Sequence, residues 1–241
     1  MKDKEMDEIL QRAARARPEV EPALLEHIAG SIKSSMQPVR PLPPTWVLAS
    51  GLTLICAASA LAGAARAGFF GVEKLSVFQR ALIFPTLGIL VWIAATEFVG
   101  AMIPGSRRRM APGAWLGVGS LTLLGLFAAL FRDYRTDHFV SAGVACLMVG
   151  LLHAIPTGIV GWWLLRRGFA VNSVVAGLAG GILGGLTGVT MLELHCENFQ
   201  ALHVLFWHTA VVPASGAAGA LLAWALRFRA NSSGRKRAAR R

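Results

Sequence analysis

The sequence predicts an all-α, polytopic membrane protein: six transmembrane helices, with both termini in the cytoplasm. Three observations carry this reading. The composition is strongly apolar, at 54% hydrophobic and 15% charged over 241 residues, where a soluble domain carries roughly 25% charged residues. The charge is confined to the first 44 residues, to short clusters and to the last 15 residues. The intervening segments are apolar all round, which suits lipid outside and helices inside. Finally, Lys and Arg divide unequally between the two sides that six spans would define.

Residues 1–44 are polar and balanced, with seven Lys/Arg against seven Asp/Glu. A first short helix is expected from about Asp3 to Arg17, stopping at Pro18. A second opens at Pro22, a favourable first-turn residue. Its apolar stripe is Leu24, Leu25, Ile28, Ile32 and Met36, spaced for one helix face. Nothing within the segment covers that stripe. It reads as a docking surface for a partner or, in the plainer reading, as a helix lying on the membrane surface. Residues 38–44, Pro-Val-Arg-Pro-Leu-Pro-Pro, form a stiff non-helical linker.

A span needs about 20 apolar residues. Six segments qualify: Thr45 to Ala65, Ala81 to Ile103, Ala111 to Phe131, Ser141 to Leu165, Val174 to Leu194, and Ala201 to Leu226. The organisation is thus a cytoplasmic partner-binding segment (1–44), a six-helix bundle (45–226) and a basic cytoplasmic tail (227–241). With the N-terminus inside, the inner segments hold 19 Lys/Arg and the outer loops five. Basic residues collect on the cytoplasmic side, so both ends are placed there. The polar stretch before the first span is too long for the n-region of a cleaved signal peptide. The formal net charge of +11 is read as topology and membrane anchoring, with no direct nucleic-acid contact.

Glycines recur every four residues at Gly177, Gly181 and Gly185, at Gly184 and Gly188, and at Gly113 and Gly117. Gly216 and Ala220 continue the pattern in the sixth span. Small residues at this spacing let helix backbones approach closely in lipid. The fifth span is therefore expected to be central. Pro85, Pro156 and Pro213 are expected to kink their spans.

The chemistry-bearing residues gather at the outer end. Glu193-Leu194-His195-Cys196-Glu197 closes the fifth span, and His203 and His208 follow on the sixth. Cys146 should lie at the same depth as Cys196. A Cys146–Cys196 disulfide and a thiolate/imidazole metal site using His195, His203 and His208 are both physically open. So is the plain reading of Cys146 as a small buried hydrophobe. His153 and Glu97 are ionisable groups within spans, which face the bundle interior by default. His153 is expected either to hydrogen-bond a backbone carbonyl or to extend the outer site inward; Glu97 has no assigned partner. The sequence carries no nucleophile elbow, no H-E-x-x-H and no paired carboxylates, so it does not read as an enzyme. A small permease, or a metal- or haem-handling membrane protein using the His/Cys cluster, is the rival reading.

Cys146, Pro156, Leu164-Leu165-Arg166-Arg167-Gly168, the glycine-rich fifth span, Leu194-His195-Cys196 and Trp207-His208 occur in an order that resembles the NrsF family of six-helix membrane anti-sigma factors. The likeness covers roughly residues 140–225. In the first three spans only hydrophobicity and the Arg107–Arg109 cluster correspond. The N-terminal segment also resembles that of bacterial anti-sigma proteins. The resemblance implies a protein of the bacterial inner membrane whose N-terminal segment holds an extracytoplasmic-function sigma factor at the lipid bilayer. It implies that a stress signal, received at Cys146 and Cys196 near the periplasmic face, releases that factor.

Overall fold

The computed structural model describes residues 5, 7, 8, 11, 12, 22–35, 43–103, 111–167 and 172–238. Among these residues there is no strand. The chain divides into two units, Met1–Leu42 and Pro43–Arg241.

In the first unit, helix α1 spans Pro22–Ser35. Proline opens it because the first helical N–H has no intrahelical partner to lose. Leu24, Leu25, Ile28 and Ile32 are each exposed, between 44% and 54%. Met36, most of the helix expected over 3–17 and most of the linker lie outside the described residues.

Among the described residues, the second unit holds six helices long and apolar enough to cross a membrane. Helix α2 (Thr45–Ala67) ends at Gly68, whose φ of 104° lies in the region open to glycine. A five-residue helix α3 (Phe70–Lys74) follows. Helix α4 (Val77–Met102) starts four residues ahead of the expected Ala81. The cause is a capping box: the Gln79 N–H donates to Ser76 Oγ at 3.2 Å, and the Ser76 N–H donates to Gln79 Oε1 at 2.9 Å. Helix α5 (Pro112–Leu130) again has proline at its first turn. The Arg107–Arg109 cluster before it lies outside the described residues. Helix α6 (Phe139–Arg167) includes Arg166 and Arg167; Gly168 lies outside.

Helix α7 (Ser173–His195) is capped by Asn172, whose side-chain oxygen accepts from the N–H groups of Val174 and Val175. The sixth span, Ala201–Leu226, is built from three pieces. These are α8 (Ala201–His203), a π-helical turn (Val204–His208) and α9 (Thr209–Ala238). Helical structure thus continues past Leu226 into the basic tail; Arg240 and Arg241 lie outside. Pro85, Pro156 and Pro213 all sit within helices.

Helix α7 is the axis of the bundle and touches each of the other five spans. Its glycines make this possible. Gly188 lies directly on the Gly150 carbonyl of α6, and Gly181 on the Ser215 carbonyl of α9. Apolar burial drives little association between helices in lipid, so van der Waals contact between close backbones has to supply it. Around this axis the core gathers Ile83, Leu87 and Phe98 from α4, Leu123 and Phe127 from α5, and Leu183 and Leu192 from α7. His153 on α6 donates from Nδ1 to the Val149 carbonyl at 2.8 Å, the first of the two arrangements expected of it.

Candidate functional site: a buried thiol–imidazole cluster

The site forms where α7 stops. Its last N–H pairing comes from the Cys196 backbone, which donates to Leu192 O at 2.7 Å. Cys196 itself is extended (φ −70°, ψ 123°), so the chain leaves the helix there. A short turn follows, held by the Gln200 N–H on Asn198 Oδ1 at 3.1 Å. The sixth span then starts with the Ala201 N–H donating to Asp133 O at 2.6 Å. This path brings Cys196 against α6, and its Sγ lies 3.2 Å from Cys146 Sγ. Both cysteines are free thiols. The contact between the thiols, together with burial, raises the pKa of Cys196 above its ordinary value.

Two histidines close the cluster. His203 and His208 are five residues apart, which on an α-helix is about 140° around the axis. They would face different neighbours. The π turn Val204–His208 widens the helix by one residue and removes most of that divergence. The two rings accordingly meet edge to face with centroids 5.3 Å apart. His203 Nε2 lies 3.7 Å from Cys196 Sγ. One donor atom each from Cys146, Cys196, His203 and His208 fall within 4.8 Å of one another. Cys196, His203 and His208 are buried and Cys146 is half-buried.

Glu193 supplies the fifth polar group. It sits on α7, and its Oε1 lies 2.7 Å from His208 Nδ1 with both side chains fully buried. Among the described residues, no hydrogen-bond partner reaches His208 Nε2, His203 Nδ1 or Glu193 Oε2. Buried polar atoms are nearly always paired, so these three mark the cluster as unusual. Chemically, the arrangement offers two thiols in contact, two imidazoles and one orienting carboxylate.

A short outer cover lies over the turn. Helix α3 approaches so closely that a Cβ on Gly71 would stand 2.7 Å from Cys196 O and 2.8 Å from Glu193 O. Lys74 Nζ pairs with Glu197 Oε2 at 2.8 Å. That ammonium holds the Glu197 carboxyl below its ordinary pKa.

Of the residues singled out from sequence, Cys146, Cys196, His203 and His208 come together. His195 does not join them. It points to the other side of the helix end, with Nδ1 3.1 Å from Gly68 O and its ring against Phe70. Cys56 is buried in α2, away from the cluster. Glu97 lines a small pocket with Trp115, Leu90 and Val212. The sequence places Glu193 in this outer stretch but assigns it no role. Its signal was an acidic residue at the end of an apolar span, beside other ionisable groups.

A family model described as "Negative regulator of sigma F" (NrsF) matches residues 33–228. The match takes in all six spans and begins within α1, after Ile32. No curated protein and no solved structure matches the chain.

Proposed function

The chain belongs to the NrsF family of negative regulators of sigma F, and from that premise we propose which parts of it hold the sigma factor and which receive the signal. The partner is a sigma factor of the extracytoplasmic-function type, held at the bacterial inner membrane by residues 1–44. The observation that carries the docking role is the stripe Leu24, Leu25, Ile28 and Ile32, exposed along one side of α1. An amphipathic helix of this kind fits an apolar groove on a protein partner. The 19:5 division of Lys and Arg supports a cytoplasmic N-terminus, where a sigma factor would be met.

The signal enters at Cys146 and Cys196, on the opposite side of the membrane in this topology. The support is their 3.2 Å contact between α6 and the end of α7. Any event that changes the preferred sulfur separation moves α6 against α7, the helix every other span touches. Packed helices respond to such a change by switching between discrete arrangements. Release of the sigma factor is the output.

The test uses the full chain in membranes together with extracytoplasmic-function sigma factors of the same organism. The Leu25→Ala/Ile28→Ala pair is expected to abolish co-purification while leaving the protein in the membrane. Wild-type retention by that variant removes the docking role. Cys146→Ser and Cys196→Ser are expected to retain the sigma factor and alter induction of its target genes. A wild-type response from both removes the sensor.

A further inference from the structure

We propose that Cys146, Cys196, His203 and His208 form a four-ligand site for a thiophilic divalent cation of the zinc class, with Glu193 orienting His208 from outside the ligand set. The inference rests on the sensor reading above and names the ligand of that same site.

Geometry carries the proposal first. A tetrahedral zinc-class ion is held by sulfur at about 2.3 Å and by imidazole nitrogen at about 2.0–2.1 Å. Two thiolates on one such ion stand ~3.8 Å apart. The sulfurs here are 3.2 Å apart, and all four donors lie within 4.8 Å of one another. Parting the sulfurs by about 0.6 Å and drawing the rings inward completes the tetrahedron.

The pairing pattern is a second, independent observation. In metal sites a ligating histidine places its other ring nitrogen on a carboxylate or carbonyl, which fixes the tautomer. Glu193 Oε1 occupies that position on His208 Nδ1 at 2.7 Å. His208 Nε2 is left fully buried with no hydrogen-bond partner among the described residues. A carboxylate–imidazole pair with an idle inner nitrogen is the arrangement a metal uses. The π turn is the third observation, because it puts His203 and His208 on one face. π turns of this kind recur at functional sites.

The donor set selects the ion. Two sulfurs and two imidazoles suit zinc-class and cuprous ions, and do not suit calcium or magnesium, which take oxygen. Charge balance then favours the divalent ion. Binding breaks two S–H bonds and forms two metal–sulfur bonds, with both protons leaving to solvent. The Nδ1–H of His208 stays on the ring and keeps donating to Glu193 Oε1. The two protons that leave the sulfurs match the ion's two charges, so the sulfur–metal unit carries no more charge than the two thiols did. A monovalent ion would leave it one unit more negative in a medium that penalises charge.

The experiment uses the full-length protein in mild detergent, kept reduced, stripped with a chelator and titrated with Co2+, then with Zn2+. One Co2+ per chain is expected, with sulfur-to-metal charge-transfer absorption and tetrahedral visible bands. One equivalent of Zn2+ should remove both. Cys196→Ser should weaken the charge-transfer band, leaving at most the contribution of Cys146, and the Cys146→Ser/Cys196→Ser pair should abolish it. His208→Ala should weaken binding at least tenfold, and Glu193→Gln by about 10–100-fold, the usual effect of losing such an outer partner. The absence of a charge-transfer band in the wild-type protein overturns the site, and this result does not depend on any variant folding. Wild-type affinity in both His203→Ala and His208→Ala overturns the four-ligand set. Sigma-factor retention is measured on the same samples. Retention without metal binding overturns this inference and leaves the anti-sigma reading standing. Metal binding with normal retention by the α1 double variant does the reverse.

Discussion

Helices α5 and α7 carry the same short pattern, glycines four residues apart, and use it in opposite ways. In α7 a Cβ on Gly185 would stand 2.7 Å from Val212 Cα, and one on Gly181 would stand 2.8 Å from Gly216 Cα. In α5 a Cβ on Gly113 or Gly117 would meet nothing within 4 Å. Burial follows: 67% of the apolar window of α7 is buried, against 17% for α5. The spacing therefore states that two backbones can approach. Whether they do depends on a second helix offering its own small residues at matching height. Gly219, Gly216 and Ser215 of α9 and Gly150 of α6 do so for α7. The glycine face of α5 finds no such partner among the described residues.

The contrast breaks most visibly at Gly181. Even Gly181→Ala drives a methyl group into the Ser215 carbonyl and the Gly216 backbone, and neither is the far end of a flexible side chain. The two helices must separate along their length. We expect a loss of about 3 kcal/mol, at the upper end of ordinary overpacking, and no folded protein from Gly181→Leu. Thermal unfolding in detergent measures the first and gel-filtration yield the second. A wild-type melting temperature for Gly181→Ala would show that α7 and α9 are not held backbone to backbone.

Gly71 sharpens the same idea outside the spans. It lets α3 settle on the carbonyls of Glu193 and Cys196. Gly71→Ala should lift α3 from the turn at a cost of about 1–3 kcal/mol. It should also speed alkylation of the cluster thiols by a water-soluble maleimide. An unchanged labelling rate would show that α3 does not cover the site.

These residues also mark how far the sequence could be read. Span number and rough boundaries were legible because a 20-residue apolar run has one common explanation. The central place of α7 was legible from its interleaved glycine pairs. The idle glycines of α5 were not, because periodicity reports one helix and packing needs two. At the site, Cys146, Cys196, His203 and His208 could be singled out by type and by depth in the membrane. The exclusion of His195 could not, since it turns on one residue of helical phase at a helix end. The π turn was equally hidden. Its signature is a single extra residue in the register of a hydrogen-bond ladder, and no composition signal accompanies that. Helix α3 is five residues long and is held by its neighbours, so local propensity says little about it.

The smallest expected effect is at Gly117, and its sign distinguishes the two helices. Glycine in a helix interior is less favourable than alanine by about 0.8–1.0 kcal/mol, because it loses more backbone freedom on folding. At Gly181 that gain is overwhelmed by the collision with α9. At Gly117 there is open space where the methyl group would go, so nothing opposes it. Gly117→Ala should therefore leave the fold intact and raise the melting temperature slightly, by no more than about 1 kcal/mol in stability. The same substitution would then stabilise one glycine-rich span and damage the other. If Gly117→Ala instead destabilises the protein as Gly181→Ala does, the face of α5 is already occupied in the membrane. A second chain is the natural occupant, and cross-linking through cysteines placed at Gly113 and Gly117 would find it.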